Sequence, residues 1–210
     1  MRKLLFLIIF PLIASPMAEA QEDSVAVDNY RTGVSLYFDY GKLTSLLSKQ
    51  NTKWEGGASF FFAKHWKIAG EFGTAVLNPD QAIEDGTYES SGNYYRAGLD
   101  YIMSIDNKSN LGVGFRYGAS SFEDSGYNPA DTLNPTFQRT DLSADWYEII
   151  VESEAEFWTG IFLGIKFRLR ILNSYTQFPE NDVFSIPGYG RTFDNSIPAL
   201  NLFIKYKIGF

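Results

Sequence analysis

The chain has 210 residues, 45% of them hydrophobic and 17% aromatic, with 18 Lys and Arg against 25 Asp and Glu and a formal charge of −7. That acidic surplus argues against a nucleic-acid partner, whose phosphates call for a basic surface. With no Cys in the sequence, neither a disulfide framework nor a lipid-anchored N-terminus is expected.

Residues 1–20 read as a cleaved secretory signal. Arg2 and Lys3 form its basic start, Leu4 to Ile13 its apolar run, and Ala18-Glu19-Ala20 a small-residue cleavage site. The apolar run is about ten residues, half of the ~20 that a membrane-spanning helix requires. A mature chain beginning at Gln21 loses Arg2, Lys3 and Glu19, which leaves 16 bases against 24 acids and a formal charge of −8. No later stretch is apolar for long enough to cross as a helix, so any passage through a membrane requires a closed barrel of strands. Residues 21–30 are expected to be a short periplasmic segment, and 31–210 a single barrel domain.

Eight segments then alternate with period two, at 31–41, 53–63, 66–76, 92–103, 111–121, 145–157, 161–171 and 198–210. The apolar face of the first is Val34, Leu36, Phe38 and Tyr40. That of the second is Trp54, Ala58, Phe60 and Phe62, blurred by Phe61, and that of the third is Trp66, Ile68, Phe72 and Val76. Tyr95, Ala97, Leu99, Tyr101 and Met103 form the fourth, and Leu111, Val113, Phe115 and Tyr117 the fifth. The seventh is the clearest, running Ile161, Leu163, Ile165, Phe167, Leu169, Ile171. The last runs Leu200, Leu202, Ile204, Tyr206, Ile208, Phe210, with Asn201, Lys205, Lys207 and Gly209 opposite and Phe203 as the exception. Each segment is close to the 9–11 residues of a tilted membrane strand.

The connections alternate in length. Short ones fall around Lys64-His65, at 104–110 and at Trp158-Thr159-Gly160; long ones fall at 42–52, 77–91, 122–144 and 172–197. Short periplasmic turns and long extracellular loops are the arrangement of outer-membrane barrels, with both chain ends on the periplasmic side. Alternation alone also suits a lipocalin-like barrel or a soluble sandwich. Aromatic residues near the strand ends (Tyr40, Trp54, Trp66, Tyr95, Tyr117, Tyr147) and the unequal connections favour the membrane. The expected fold class is therefore all-β, an antiparallel up-and-down transmembrane β-barrel of eight strands.

If the apolar face meets lipid, the opposite face lines the lumen. Its acids read as Asp39, Glu55, Glu71, Asp100, Glu148, Glu152, Glu154 and Glu156, and its bases as Lys67, Arg96, Arg116, Lys166, Arg168, Arg170, Lys205 and Lys207, a balanced interior. With Trp158 to Gly160 as the loop, Phe157 should face Ile161, Glu152 Lys166, and Glu148 Arg170, pairs each worth a few tenths to about 1 kcal/mol. Gly98, Gly112, Gly114, Gly118 and Gly164 on this face leave space for the long basic side chains. A structural plug of charges is the favoured reading, and a proton or small-ion path through the carboxylates the alternative.

His65 is the single histidine and falls in a periplasmic turn, far from the long loops, which disfavours His-dependent hydrolysis at the outer face. Those loops hold Asp80, Glu84, Asp85, Glu89, Glu123, Asp124, Asp131, Asp141, Glu180, Asp182 and Asp194, but none in the full EF-hand spacing. No catalytic residue, cofactor or metal is assigned, and a solvated acidic rim suffices. Segment 42–51 places Leu43, Leu46 and Leu47 at helical spacing, either as an amphipathic turn at the membrane interface or as a loop folded over the barrel mouth.

The stretches DNYRTGVSLYFDYGKL (28–43), KWEGG (53–57), YYRAGLDY (94–101) and GFRYGASSF (114–122) resemble a family of uncharacterised outer-membrane proteins. The whole pattern is similar to the size class of the eight-stranded OmpA and OmpX transmembrane domains. That resemblance implies a location in the outer membrane of a Gram-negative cell and contact with its lipids, and it implies no activity. The terminal face Leu202, Ile204, Tyr206, Ile208 and Phe210 resembles the signal read by the barrel-assembly machinery. A non-enzymatic monomer acting through acidic loops in surface binding or adhesion, or in envelope integrity, is the leading expectation. A lipid-modifying enzyme and a narrow channel or small-ligand carrier are the alternatives.

Overall fold

A strand of alternating chemistry shows one character to each side of a sheet, and here the sheet closes on itself. A computed structural model describes residues 32–41, 51–80, 82–179 and 182–209. Its barrel strands are β1 (Gly33–Asp39), β2 (Asn51–Ala63), β3 (Trp66–Leu77), β4 (Thr87–Ser104), β5 (Ser109–Tyr127), β6 (Thr136–Trp158) and β7 (Ile161–Tyr175). A small hairpin, β8 (Ser185–Ile186) and β9 (Gly190–Arg191), precedes the final strand β10 (Ser196–Gly209). Chain neighbours pair antiparallel, and β1 closes the ring on β10 with Gly33 opposite Gly209. The signal 1–20, the segment 21–30, residues 42–50 of the leucine-bearing segment and Phe210 lie outside the described residues.

The outward side chains are those the alternation assigns. Leu36, Ile68, Phe72, Leu99, Phe115, Ile149, Ile165, Phe167, Ile204, Tyr206 and Ile208 are all exposed, as are Trp54 near the upper end of β2 and Tyr95, Tyr117 and Tyr147 at the middle of β4, β5 and β6. Leu202 is half-buried on the same side. From Ile161 to Ile171, β7 climbs roughly 25 Å at a rise of ~3.3 Å per residue and a tilt of ~40°, the height of an outer-membrane apolar band.

Four strands overrun the expected limits by four residues or more, among them β7, which runs to Tyr175 rather than 171. β4 starts at Thr87 rather than 92, β5 continues to Tyr127 rather than 121, and β6 starts at Thr136 rather than 145. The connections expected at 77–91 and 122–144 therefore contract to 78–86 and 128–135. The physical reason is a change of phase at Tyr95, Tyr117 and Tyr147. Below that level the outer positions are apolar and the inner ones charged. Above it, on the same strands, Ser91, Glu89, Ser121, Glu123, Ser143 and Asp145 face outward while Tyr94, Phe122, Leu142, Ala144 and Trp146 are buried inside. Water has replaced lipid as the outer solvent, so the polarity of the two faces exchanges.

The turns close the lower end. Glu152 opposes Lys166 and Glu148 opposes Arg170, but the ladder shifts between Glu156 and Trp158, and it is Trp158, not Phe157, that opposes Ile161. The extra residue leaves a turn of Thr159 and Gly160, with Gly160 at a φ of 77° that suits glycine. In the β4–β5 turn the Asp106 carboxylate accepts from the backbone amides of Lys108 and Ser109, each at 2.7 Å. The bond from the Lys108 amide is the main cause that holds this carboxyl below the usual carboxylate range.

Placing a charge on the outer face tests the facing. Ile165, 51% exposed midway along β7, should lose about 2–4 kcal/mol of stability when changed to Arg. Reversible urea unfolding in lipid vesicles measures this, and an unchanged midpoint would mean that Ile165 does not meet the apolar layer.

Candidate functional site

Eight strands leave a bore just wide enough to be filled by side chains. Period two turns every second residue of each strand into it, and on β3 to β7 and β10 those residues are largely charged. At the lower end Lys207 Nζ reaches Glu154 at 2.5 Å. Lys205 lies between Glu154 and Glu152, 2.5 Å from the latter. Lys67 binds the same Glu152 at 2.8 Å and approaches Asp100 at 3.4 Å. Asp100 is held chiefly by Arg116 through two parallel bonds of 2.5 and 2.7 Å.

The middle of the bore is more tightly shared. Lys166 joins Glu71 at 3.1 Å and Glu152 at 3.2 Å. Arg168 binds Glu71 and Glu148, both at 2.7 Å. Arg96 binds Glu55 at 2.6 Å and Glu148 at 2.7 Å. Asp39 accepts from the Asn201 amide, whose oxygen in turn accepts from Arg168 Nε at 2.9 Å. Inward aromatic residues extend this set: Tyr94 donates to Glu55 and Trp146 to Glu148, and Lys166 Nζ sits 4.2 Å from the Tyr37 ring centre.

Small residues make the packing possible. A Cβ on Gly114 would lie 1.8 Å from Asp100 Oδ1, and one on Gly118 would lie 2.4 Å from the Trp146 ring. The expected set needs one removal and several additions. Glu156 is half-buried beside the β6–β7 turn, where it accepts from the Gly160 amide at 2.7 Å rather than joining the ladder. The bulge just after it turns the strand end away from the bore. Lys53, absent from the expected bases, lines the upper bore with Arg170. Asp124 is buried and bound twice by Arg139, at 2.7 and 2.5 Å. With Glu156 out and Lys53 in, bases outnumber acids among the described inward residues, which are not the balanced set read from the sequence.

Above the charges lies an apolar cork. The 172–197 connection, expected as an extracellular loop, folds back into the mouth through β8 and β9. Val183, Ile186 and Tyr189 are fully buried against Ala75, Leu77, Tyr94, Phe122, Leu142 and Trp146. Two arginines of the ladder clasp its backbone: Arg96 donates to the Gly188 carbonyl at 2.8 Å and Arg170 to the Tyr189 carbonyl at 2.7 Å. Gly188 has a φ of 86°, and a Cβ there would lie 2.4 Å from the Tyr94 ring, so only glycine fits. The signal that finds this cork in the sequence is the phase reversal between Trp146 and Tyr147, where the apolar positions move from even to odd numbers.

The acidic loop residues are thus not one solvated rim. Glu89, Glu123, Asp124 and Asp141 are on strands. Asp182 is engaged by the Tyr175 hydroxyl at 2.7 Å and by the Val183 amide at 2.8 Å, while Glu180 lies outside the described residues. His65 is in the β2–β3 turn at the opposite end, its Nδ1 3.0 Å from the Ile102 carbonyl. Among the described residues no three His, Cys, Asp or Glu are grouped to hold a metal ion.

The Asp100–Arg116 pair is the simplest place to weigh the ladder. Removing one partner of a buried pair, by Asp100→Asn or Arg116→Gln, should cost about 3–5 kcal/mol. The double variant should lose less than the two single losses combined, with a coupling of roughly 1–3 kcal/mol. Equilibrium unfolding in detergent or vesicles reads this out, and strictly additive losses would show the two groups to be independent.

Comparisons with known proteins add the following. Ail, the attachment invasion locus protein of Yersinia pestis, is similar in structure with a TM-score of 0.46 and 8% identity, over 85% of this chain and 98% of that one. Neisserial surface protein A (NspA) is similar with a TM-score of 0.44 and 7% identity, over 85% and 96% of the two chains. Among curated proteins none matches by sequence. One family model matches residues 1–210 in full, and the chain belongs to that family, described as Domain of unknown function (DUF6048).

Proposed function

We propose that this chain is an outer-membrane barrel without enzymatic activity, closed through its length, whose work is done at its extracellular end by surface binding or by support of the envelope. The observation that carries this reading is the continuous filling of the bore, from the Lys207–Glu154 pair at the base to the buried Val183 and Ile186 at the mouth. A column of paired charges under an apolar cork leaves no aqueous path. The cavity of about 280 Å³ that remains beside Lys53, Arg170 and Asn201 lies at the top of the ladder, so recognition falls to the upper end of the molecule, with the projecting ends of β4, β5 and β6 and the connections between them. The apolar exterior and the outward aromatic residues Trp54, Tyr95, Tyr117 and Tyr147, at the level where the faces exchange polarity, support contact with outer-membrane lipids.

On the same reading, residues 1–20 are removed as a signal, the mature chain begins at Gln21, and 21–30 precede the barrel on the periplasmic side. The outer face of β10, through Leu202, Ile204, Tyr206 and Ile208 and on to Phe210, acts as the signal for the barrel-assembly machinery. The assembled unit is a monomer. The interior ladder is structural: its ion pairs hold the strands in register.

Conductance tests the closed lumen. In planar bilayers the intact chain should carry no steady current. A variant with residues 183–192 replaced by a Gly-Ser linker should also carry none, because the ion-pair ladder lies beneath the hairpin. Current through the intact chain would overturn the closed reading; current only after the replacement would make the hairpin a gate. In cells the protein should fractionate with the outer membrane and migrate faster on gels before heating than after. Failure of both would remove the membrane barrel.

A further inference from the structure

Above the apolar cork, the inner face of the projecting β4–β5–β6 sheet does not end in a solid surface. Tyr88, Phe137, Phe184 and Phe193 surround an open cleft of about 330 Å³ that connections 78–86 and 128–135 border through Glu84 and Ala130. That volume lies in the range of small-ligand pockets. Tyr88 lies seven residues above Tyr95 along β4; at ~3.3 Å per residue and a tilt of ~40° that is roughly 18 Å above the aromatic belt. The cleft therefore opens to water beyond the membrane.

The rings are arranged around one another rather than stacked. Tyr88 and Phe184 are 5.9 Å apart at 56°, Tyr88 and Phe137 6.4 Å apart at 45°, and Phe184 and Phe193 5.1 Å apart at 83°. The Tyr88 hydroxyl is directed away from solvent, donating to Asp124 at 3.1 Å and accepting from the Phe184 amide at 3.3 Å. It thus fixes its ring as a wall. Phe193 is 73% exposed, a large apolar side chain held at the rim of an otherwise polar, acidic end.

The charges at the cleft are all of one sign. Among the described residues its lining carries the carboxylates of Glu84 and Asp182 and no base. Arg191, on the hairpin next to Phe193, is exposed and is not part of the lining, and Arg139 is neutralised by Asp124 and already occupies a place between aromatic rings, 4.8 Å from Phe137 and 4.2 Å from Phe178. An aromatic wall with carboxylates at its edge attracts a cation through the negative faces of the rings, and an apolar substituent on that cation gains by leaving water. Anions are repelled, and a neutral apolar group gains only the second of these terms.

We propose that this extracellular cleft binds an organic cation, an ammonium group bearing apolar substituents. The inference rests on the proposed outward orientation and names the ligand class for that end of the molecule. The same chemistry is offered by a quaternary ammonium headgroup and by a methylated lysine side chain.

The test uses the full chain in nanodiscs or a neutral maltoside detergent. Benzyltrimethylammonium should bind saturably, and phenylphosphonate and the uncharged neopentylbenzene should each bind at least about tenfold more weakly. Phe193→Ala and Glu84→Gln should each weaken binding roughly three- to tenfold, and Ala82→Trp should fill the cleft and abolish it. Phe193 and Glu84 are exposed, so these variants should retain heat-modifiable migration. Phosphocholine and trimethyllysine then distinguish the two sources by which competes more strongly. Equal binding of the neutral and cationic probes, or affinity unchanged in both Phe193→Ala and Ala82→Trp, overturns the proposal. Because the chain has no Cys, Ala130→Cys can be labelled on intact cells with a membrane-impermeant thiol reagent. Labelling without ligand binding sinks the cleft alone, whereas absence of labelling sinks the orientation on which it rests.

Discussion

The narrowness of the bore governs this molecule. A charge turned inward in an eight-stranded barrel gives up its water and must find its counter-charge among the strands opposite. Glu71 on β3 meets Arg168 and Lys166 on β7 and Arg96 on β4. Glu148 on β6 meets Arg96 and Arg168. Three of these contacts, Glu71 with Arg168 and Lys166 and Glu148 with Arg96, cross the lumen and tie strands that share no backbone hydrogen bond, while Glu71–Arg96 and Glu148–Arg168 join neighbouring strands. They also oppose slippage, because a shift of one residue would carry a row of charges to the lipid face and a row of Leu and Ile into the bore.

The second constraint is the change of outer solvent along each long strand. Where lipid surrounds the barrel, apolar side chains face outward. Where β4, β5 and β6 rise above it, the apolar positions turn inward and need something to cover them. The connection between β7 and β10 supplies that cover. Val183 and Ile186 bury the apolar layer formed by Leu77, Phe122 and Leu142, while the carbonyls of Gly188 and Tyr189 meet Arg96 and Arg170, respectively, at the top of the ladder. The hairpin joins the two layers because its side chains are apolar and its backbone is polar.

Much of this is legible in residue order, and for definite reasons. Strand facing below the aromatic belt follows from period two, as in Ile161 to Ile171, since a lipid-facing row and a charged row cannot exchange places. The opposition of Glu152 and Lys166 follows from the short β6–β7 turn. The exact turn does not: a bulge at Phe157 costs little, and alternation gives no sign of it. Glu156 consequently reads as a member of the ladder, although it caps a turn. The projecting strands read as loops because their apolar residues change parity there, and a pattern sought with a single phase breaks at Trp146.

The sequence by itself determined the barrel: eight alternating segments, unequal connections and an apolar outer row admit few other closed solutions. It also sorts the charges of each strand by face, since facing is a property of position along a strand. Tertiary structure alone decided which charges pair across the lumen, that residues 183–192 close the mouth from within, and that four aromatic rings from distant parts of the chain surround one cleft. Those outcomes depend on distances between strands remote in sequence and on the path of a long connection. Period and composition, being local, carry no record of either.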